Sequence, residues 1–248
     1  MTALHYHRPQ TLEAALELLK QGVPLAGGTR LTPSLRGVGA LVDLQDLGLD
    51  RINSTDGTLI FGGTATLQGL IDSDLPLPED LVRATRLEAG WNIRNKATIA
   101  GTIVTGDGRS PLLTTLLALG VELEFTPGAV RVSLDEVLAR GDDRTAGKLI
   151  TTIRAAKSNH LRYAQVARSP ADRPMICVAV DQTGSTARVA LGGFGSHPLL
   201  IVASEVQEAA DLARALYADA GDQWASAEYR SSAAATLVAR VFAEVRSV

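Results

Sequence analysis

Cysteine occurs once in the 248 residues, at Cys177. A single thiol excludes an internal disulfide and any cysteine-held iron–sulfur cluster carried by this chain alone. No run of eighteen apolar residues occurs, so no membrane span is expected. Lys and Arg nowhere gather into a basic patch and the net charge is −3, which argues against a nucleic-acid partner. The first ten residues, "MTALHYHRPQ", lack a charged head followed by an apolar stretch, so no signal peptide is expected and the reading is cytoplasmic. Internal repeats and low-complexity segments are absent.

Several familiar catalytic and nucleotide motifs are missing too. The nearest approach to a P-loop, Gly141 to Gly147-Lys148, has five intervening residues instead of four and is followed by Leu149. Gly37-Val38-Gly39 and Gly106-Asp107-Gly108 both lack the third glycine of a Rossmann fingerprint. No G-x-S-x-G nucleophile elbow is present. Of the histidines, His5 and His7 are two apart and would share a face if that end is a strand. A surface pair is the plainer reading, and no metal site is assigned. Cys177, inside "MICVAVD", reads as a small core residue, and Trp91 and Trp224 as packing groups.

What is present is 46% hydrophobic residues, ample for a packed core and for two domains. Thr11 caps a helical pattern that Gly22 ends, "VPLA" and "LVDL" read as short strands, and a first unit closes near Ile52. A second unit alternates strands ("TLIF", "VELEF", "KLITTIRA") with helical segments ("EDLVRATRLEAG", "SPLLTTLLALG"). Beyond about Ala156 come three strand-like segments, "HLRYAQVA", "MICVAVD" and "TARVALGGF", then two alanine-rich amphipathic helices. The expected class is α+β, with one domain over 1–155, divided into subdomains 1–53 and 54–155, and a C-terminal α+β domain over 156–248.

Two glycine-bearing stretches invite chemistry: "PLAGGTRL", from Pro24, and "IRNKATIAGT", from Ile93. Glycine admits φ > 0 and close approach of a ligand, and successive amides can form an anion-binding nest. Two such loops fit the two phosphates of one pyrophosphate; on spacing alone, both also read as tight turns.

These residues resemble the FAD-binding (medium) subunits of the molybdenum hydroxylases, of the carbon monoxide dehydrogenase and xanthine dehydrogenase type. "PLAGGTRL" is similar to that family's first flavin motif and "IRNKATIAGT" to its second, which commonly reads I-R-N-x-A-T-I-G-G-N. "SPLLTTLLALGVELEF", "RVALGGFGSHPLL" and "SAEYRSSAAATLVARV" resemble later segments, in the right order, over nearly the whole chain. The resemblance implies a two-subdomain FAD-binding fold of the molybdopterin dehydrogenase (PCMH) type, followed by a three-stranded antiparallel sheet with a helical bundle. It implies that Ala26, Gly27, Gly28, Thr29 and Arg30 line one side of the FAD pyrophosphate, and Thr98, Ile99, Ala100, Gly101 and Thr102 the other. It also implies partners, an iron–sulfur small subunit and a molybdopterin large subunit. Electrons would pass from the iron–sulfur clusters to this chain's flavin and on to an external acceptor.

The chain departs from the family pattern at several points. Ala100 and Thr102 stand where Gly and Asn are usual. Pro111 falls where an Asp commonly contacts the flavin nucleotide, with Asp107 four residues earlier. Ala164 and Gln165 stand where many relatives carry a lysine. A second reading is therefore a member that keeps the fold, holds FAD weakly or not at all, and serves as a structural or assembly protein. A stand-alone flavoprotein oxidase is a third. Bound flavin separates the second from the others.

Overall fold

The computed structural model describes residues 4–31, 37–170 and 172–246. At the N-terminus, β1 (His5–His7), β2 (Val23–Leu25) and β3 (Ala40–Asp43) form a parallel sheet of order β1-β3-β2. Helix α1 (Leu12–Leu18) connects the first two. Its cap is the expected one: Thr11 Oγ1 accepts the Ala14 amide at 3.2 Å. The apolar cluster beneath is small, built on Ala15, Val42, Leu44 and Leu149.

A five-stranded antiparallel sheet follows, of order β4-β5-β8-β6-β7, from β4 (Ile52–Thr55), β5 (Thr58–Gly62), β6 (Glu122–Thr126), β7 (Val130–Ser133) and β8 (Leu149–Ala156). Its helices are α2 (Leu67–Ile71), α3 (Glu79–Glu88), α4 (Trp91–Arg94), α5 (Ile99–Thr105), α6 (Pro111–Ala118) and α7 (Leu134–Ala139). α6 begins with Pro at its first position and Ser110 as cap, and all eight of its residues are buried. A helix buried all round needs cover on every side. The cover comes from its own sheet and from the next one, because Cys177, Ala179 and Ala190 belong to the same apolar cluster as Leu112, Leu113 and Leu116.

The C-terminal sheet contains the three expected strands, β9 (Arg162–Val166), β10 (Ile176–Thr183) and β11 (Thr186–Gly192). A fourth, β12 (Leu199–Ala203), pairs antiparallel with β11, so the sheet is four-stranded, of order β12-β11-β10-β9. Helices α8 (Val206–Leu216) and α9 (Ala227–Arg246) pack on it through Ala209, Ala213, Ala234, Val238 and Phe242. The opening "SAEYR" of the last of the resembling segments ends on Arg230, which is fully buried. Its guanidinium donates to the Met175 and Ala220 carbonyls at 3.0 and 2.6 Å and to both oxygens of Asp222 at 2.9 and 3.0 Å. This arginine ties the start of α9 to the loop before it and to the start of β10.

Candidate functional site: a cleft between two glycine motifs

The second glycine motif is held by paired threonine caps. Thr66 and Thr98 form an isolated antiparallel bridge, flanked by Leu67 N–H to Ala97 O and Ile99 N–H to Ala65 O, both 2.9 Å. From that bridge α2 and α5 set out with the same chemistry: Thr66 Oγ1 accepts the Gly69 amide at 2.9 Å, and Thr98 Oγ1 accepts the Gly101 amide at 3.1 Å. A Cβ on Gly101 would stand 2.8 Å from Thr98 Oγ1, so glycine at 101 is what allows this cap.

The first glycine motif docks against the second. A Cβ on Gly27 would lie 1.7 Å from the Lys96 carbonyl oxygen, so main chain meets main chain there. Gly28 has φ +70°, the left-handed region where only glycine is at ease. The two glycines therefore have different tasks. Gly27 closes the distance between the motifs, and Gly28 turns the loop.

Between the motifs lies a cleft of about 450 Å³. Nine of the ten residues singled out in the sequence line it: Ala26, Gly27, Gly28, Thr29, Arg30, Thr98, Ala100, Gly101 and Thr102. The tenth, Ile99, does not; its side chain is fully buried in the core and its amide is bonded to Ala65. Among the described residues, none of the amides of Ala26 to Arg30 donates a hydrogen bond, and the Ala100 amide has no acceptor. The hydroxyl of Thr102 already donates to the Thr98 carbonyl at 3.0 Å. The Ala100 methyl belongs to the apolar cluster of the second sheet, which gives that departure from glycine a packing reason.

The other departures resolve in the same way. Pro111 starts α6 and is buried. Asp107 lies outside the cleft lining and pairs with Arg173 through both oxygens, while accepting the Arg109 amide at 2.8 Å. Burial pushes its carboxyl up, but those donors outweigh burial and hold it below the usual carboxylate range. Ala164 and Gln165 are also outside the lining; Gln165 accepts the Tyr163 hydroxyl at 2.7 Å. His5 and His7 lie on β1 with rings 6.4 Å apart and nearly parallel, and the described residues hold no group of three or more potential metal ligands.

Five further polar lining residues escaped the sequence reading: Thr64, Glu88, Thr105, Thr145 and Lys148. Thr64 follows Gly62-Gly63, the same Gly-Gly-Thr tripeptide as at 27–29, and that repetition was the available signal. Its Oγ1 is buried without a hydrogen-bond partner among the described residues. Glu88 is half-buried; one oxygen accepts the Ser110 hydroxyl at 2.7 Å and the Leu112 amide at 3.1 Å. Burial pushes its carboxyl up.

The residues fit an extended, anionic, partly apolar ligand such as FAD. Leu25, Leu44, Leu49, Leu67 and Ile93 supply apolar wall, and, among the described residues, the loop amides and the Thr64 hydroxyl have no hydrogen-bond partner. The volume falls in the range of about 300–1,000 Å³ usual for small-molecule sites.

Residues 2–155 match the family described as "FAD binding domain in molybdopterin dehydrogenase". The chain is 30% identical to the carbon monoxide dehydrogenase medium chain of Afipia carboxidovorans, over 95% of this chain and 94% of that one. It is 33% identical to protein YgfM of Escherichia coli K12, over 78% and 76%. Its fold superposes on a chain of reconstituted CO dehydrogenase from Oligotropha carboxidovorans with a TM-score of 0.84 at 29% identity, covering 99% of this chain and 98% of that one. The chain therefore belongs to the family of FAD-binding medium subunits of the molybdenum hydroxylases.

Proposed function

We propose that this chain carries FAD in the cleft and serves as the electron-transfer subunit of a molybdenum hydroxylase complex in the cytoplasm. It would receive electrons from an iron–sulfur small subunit, itself fed by a molybdopterin large subunit, and pass them to an external acceptor. The observation that carries the reading is the meeting of the two glycine motifs, Gly27 against Lys96, around a row of amides with no acceptor among the described residues. The bound flavin would supply the redox chemistry. The chain's own residues would bind and orient it: amides 26–30 and 100 would donate to its phosphates, Arg30 would add charge, and the leucines of the wall would exclude water. At the cleft, Ile93 is 47% exposed, and Trp91, two residues earlier, is 64% exposed, leaving an apolar edge where a partner would dock. With one buried cysteine and no cluster of metal ligands among the described residues, electron entry requires that partner.

Titration of the purified chain with FAD and with FMN tests the reading. FAD is expected to bind and FMN much more weakly, because two loops suit a pyrophosphate and FMN has one phosphate. Equal affinities would overturn the two-loop account. A second reading, an assembly protein with little flavin, is favoured by the commitment of the Thr102 hydroxyl to Thr98 and of Asp107 to Arg173. A colourless protein that rejects added FAD would establish it.

A further inference from the structure

Among the described residues lining the cleft, only Arg30, Glu88 and Lys148 carry charge. Glu88 is occupied by Ser110 and Leu112. Arg30 and Lys148 form no ion pair with any described residue, although acidic residues outnumber basic ones in the chain. Two cations facing one cleft, neither in an ion pair among the described residues, attract an anion.

Lys148 is half-buried and held from both sides. The next residue, Leu149, sits in the N-terminal apolar cluster with Val42 and Leu44, and Ala26 packs on that cluster. The start of β8 is thereby fixed beside the Ala26-Gly27-Gly28-Thr29 loop. Before it, the turn closes with Lys148 N–H to Thr145 O at 3.0 Å, over Ala146 at φ +48° and Gly147 at φ +73°. The root of that turn is Arg144, which is buried and donates to the carbonyls of Ile103, Gly106 and Ser196 at 2.7, 2.6 and 2.9 Å. A flexible, compact ammonium on a rigid turn suits a phosphate oxygen. The second motif leaves room for it, because Ala100 has no side-chain donor and the Thr102 proton is spent on Thr98.

We propose that Lys148 is a phosphate-binding residue for the dinucleotide, contributed by the second subdomain to complement Arg30 from the first. This rests on reading the cleft as the FAD site. Lys148 then makes the anion a bridge between two subdomains, and it replaces with charge the polar contact that position 102 does not offer.

The test is flavin-fluorescence titration of the full chain with FAD, at low and high salt, for wild type, Lys148→Met, Lys148→Gln and Lys148→Arg. Circular dichroism checks that each variant is folded. Both neutral variants are expected to bind FAD about tenfold more weakly at low salt, with a flatter salt dependence, and the arginine variant to stay near wild type. Neutral variants with wild-type affinity and salt dependence would overturn the assignment while leaving the FAD reading intact. A wild-type chain that takes up no FAD would defeat the FAD reading, and this assignment with it.

Discussion

Gly28 and Cys177 show how differently two small side chains are constrained. At Gly28 the constraint is backbone, φ +70°, and a β-branched residue there costs about 1–3 kcal/mol in strain before any ligand is considered. Gly28→Val is expected to abolish FAD binding in the titration above while the C-terminal sheet and helices stay folded by circular dichroism; unchanged affinity would refute the placement of the loop. At Cys177 the constraint is burial, which pushes the thiol up to about 11, against a weaker opposing pull from the Thr114 hydroxyl. At pH 8 the thiolate fraction is then on the order of 10⁻³. Iodoacetamide is expected to leave the native chain unlabelled and to modify it once in denaturant, as counted by mass spectrometry. Rapid native labelling would contradict the core assignment that the sequence had already suggested for this residue.

Helix α6 has its N-terminus fastened by a carboxylate from the end of α3, Glu88, and that contact is pH-dependent with a definite sign. Burial raises the folded-state pKa of Glu88 above its ordinary 4.5, partly offset by Ser110 and Leu112. A raised carboxyl contributes most to stability below the unfolded pKa, and that contribution is lost as pH rises through the folded value. Glu88→Gln keeps an acceptor for the cap but removes the charge. Its melting temperature relative to wild type is therefore expected to climb as pH rises above about 4.5; a difference flat with pH would deny the burial cost. The helix itself was legible in the sequence, because Ser110, Pro111 and Gly120 punctuate an apolar run interrupted only by Thr114 and Thr115. Helix α5 was not: "TIAGTIV" carries β-branched residues and a glycine, and it is helical because Thr98 caps it and Ile99 and Ile103 are buried. Strands β1 and β4 were not read because HYH and INST lack the apolar run that marked the equally short β2 and β3. The cleft was half legible. Its glycine loops announce themselves as motifs, whereas Lys148 and Thr64 become lining residues only when β5 and β8 are paired through Gly62 and Thr152.

The molecule is unevenly held together. One apolar cluster joins the five-stranded sheet, α6 and part of the C-terminal sheet, while the N-terminal sheet rests on a cluster with only four buried residues. Amides of β1–β3 and α1 are expected to exchange with deuterium faster than those of α6 and β10, and FAD, by bridging the two subdomains, to slow exchange in β1–β3 most. Uniform protection with no response to FAD would contradict both the small N-terminal cluster and the bridging role. A close approach between these unequal parts is the contact of Gly27 with Lys96, and it has a lopsided genetics. A carbonyl belongs to every amino acid, so position 96 can change its side chain freely and still present the same oxygen at the same place. Position 27 has no such freedom, since a single methyl would have to share space with that oxygen. A saturation library selected for FAD retention should return glycine alone at 27 and almost any residue except proline at 96, whose amide is bonded to the Ile93 carbonyl. The gap between the subdomains is in this sense written in main chain and punctuated by one absent carbon, and side chains can drift on one side of it while its width is inherited unchanged.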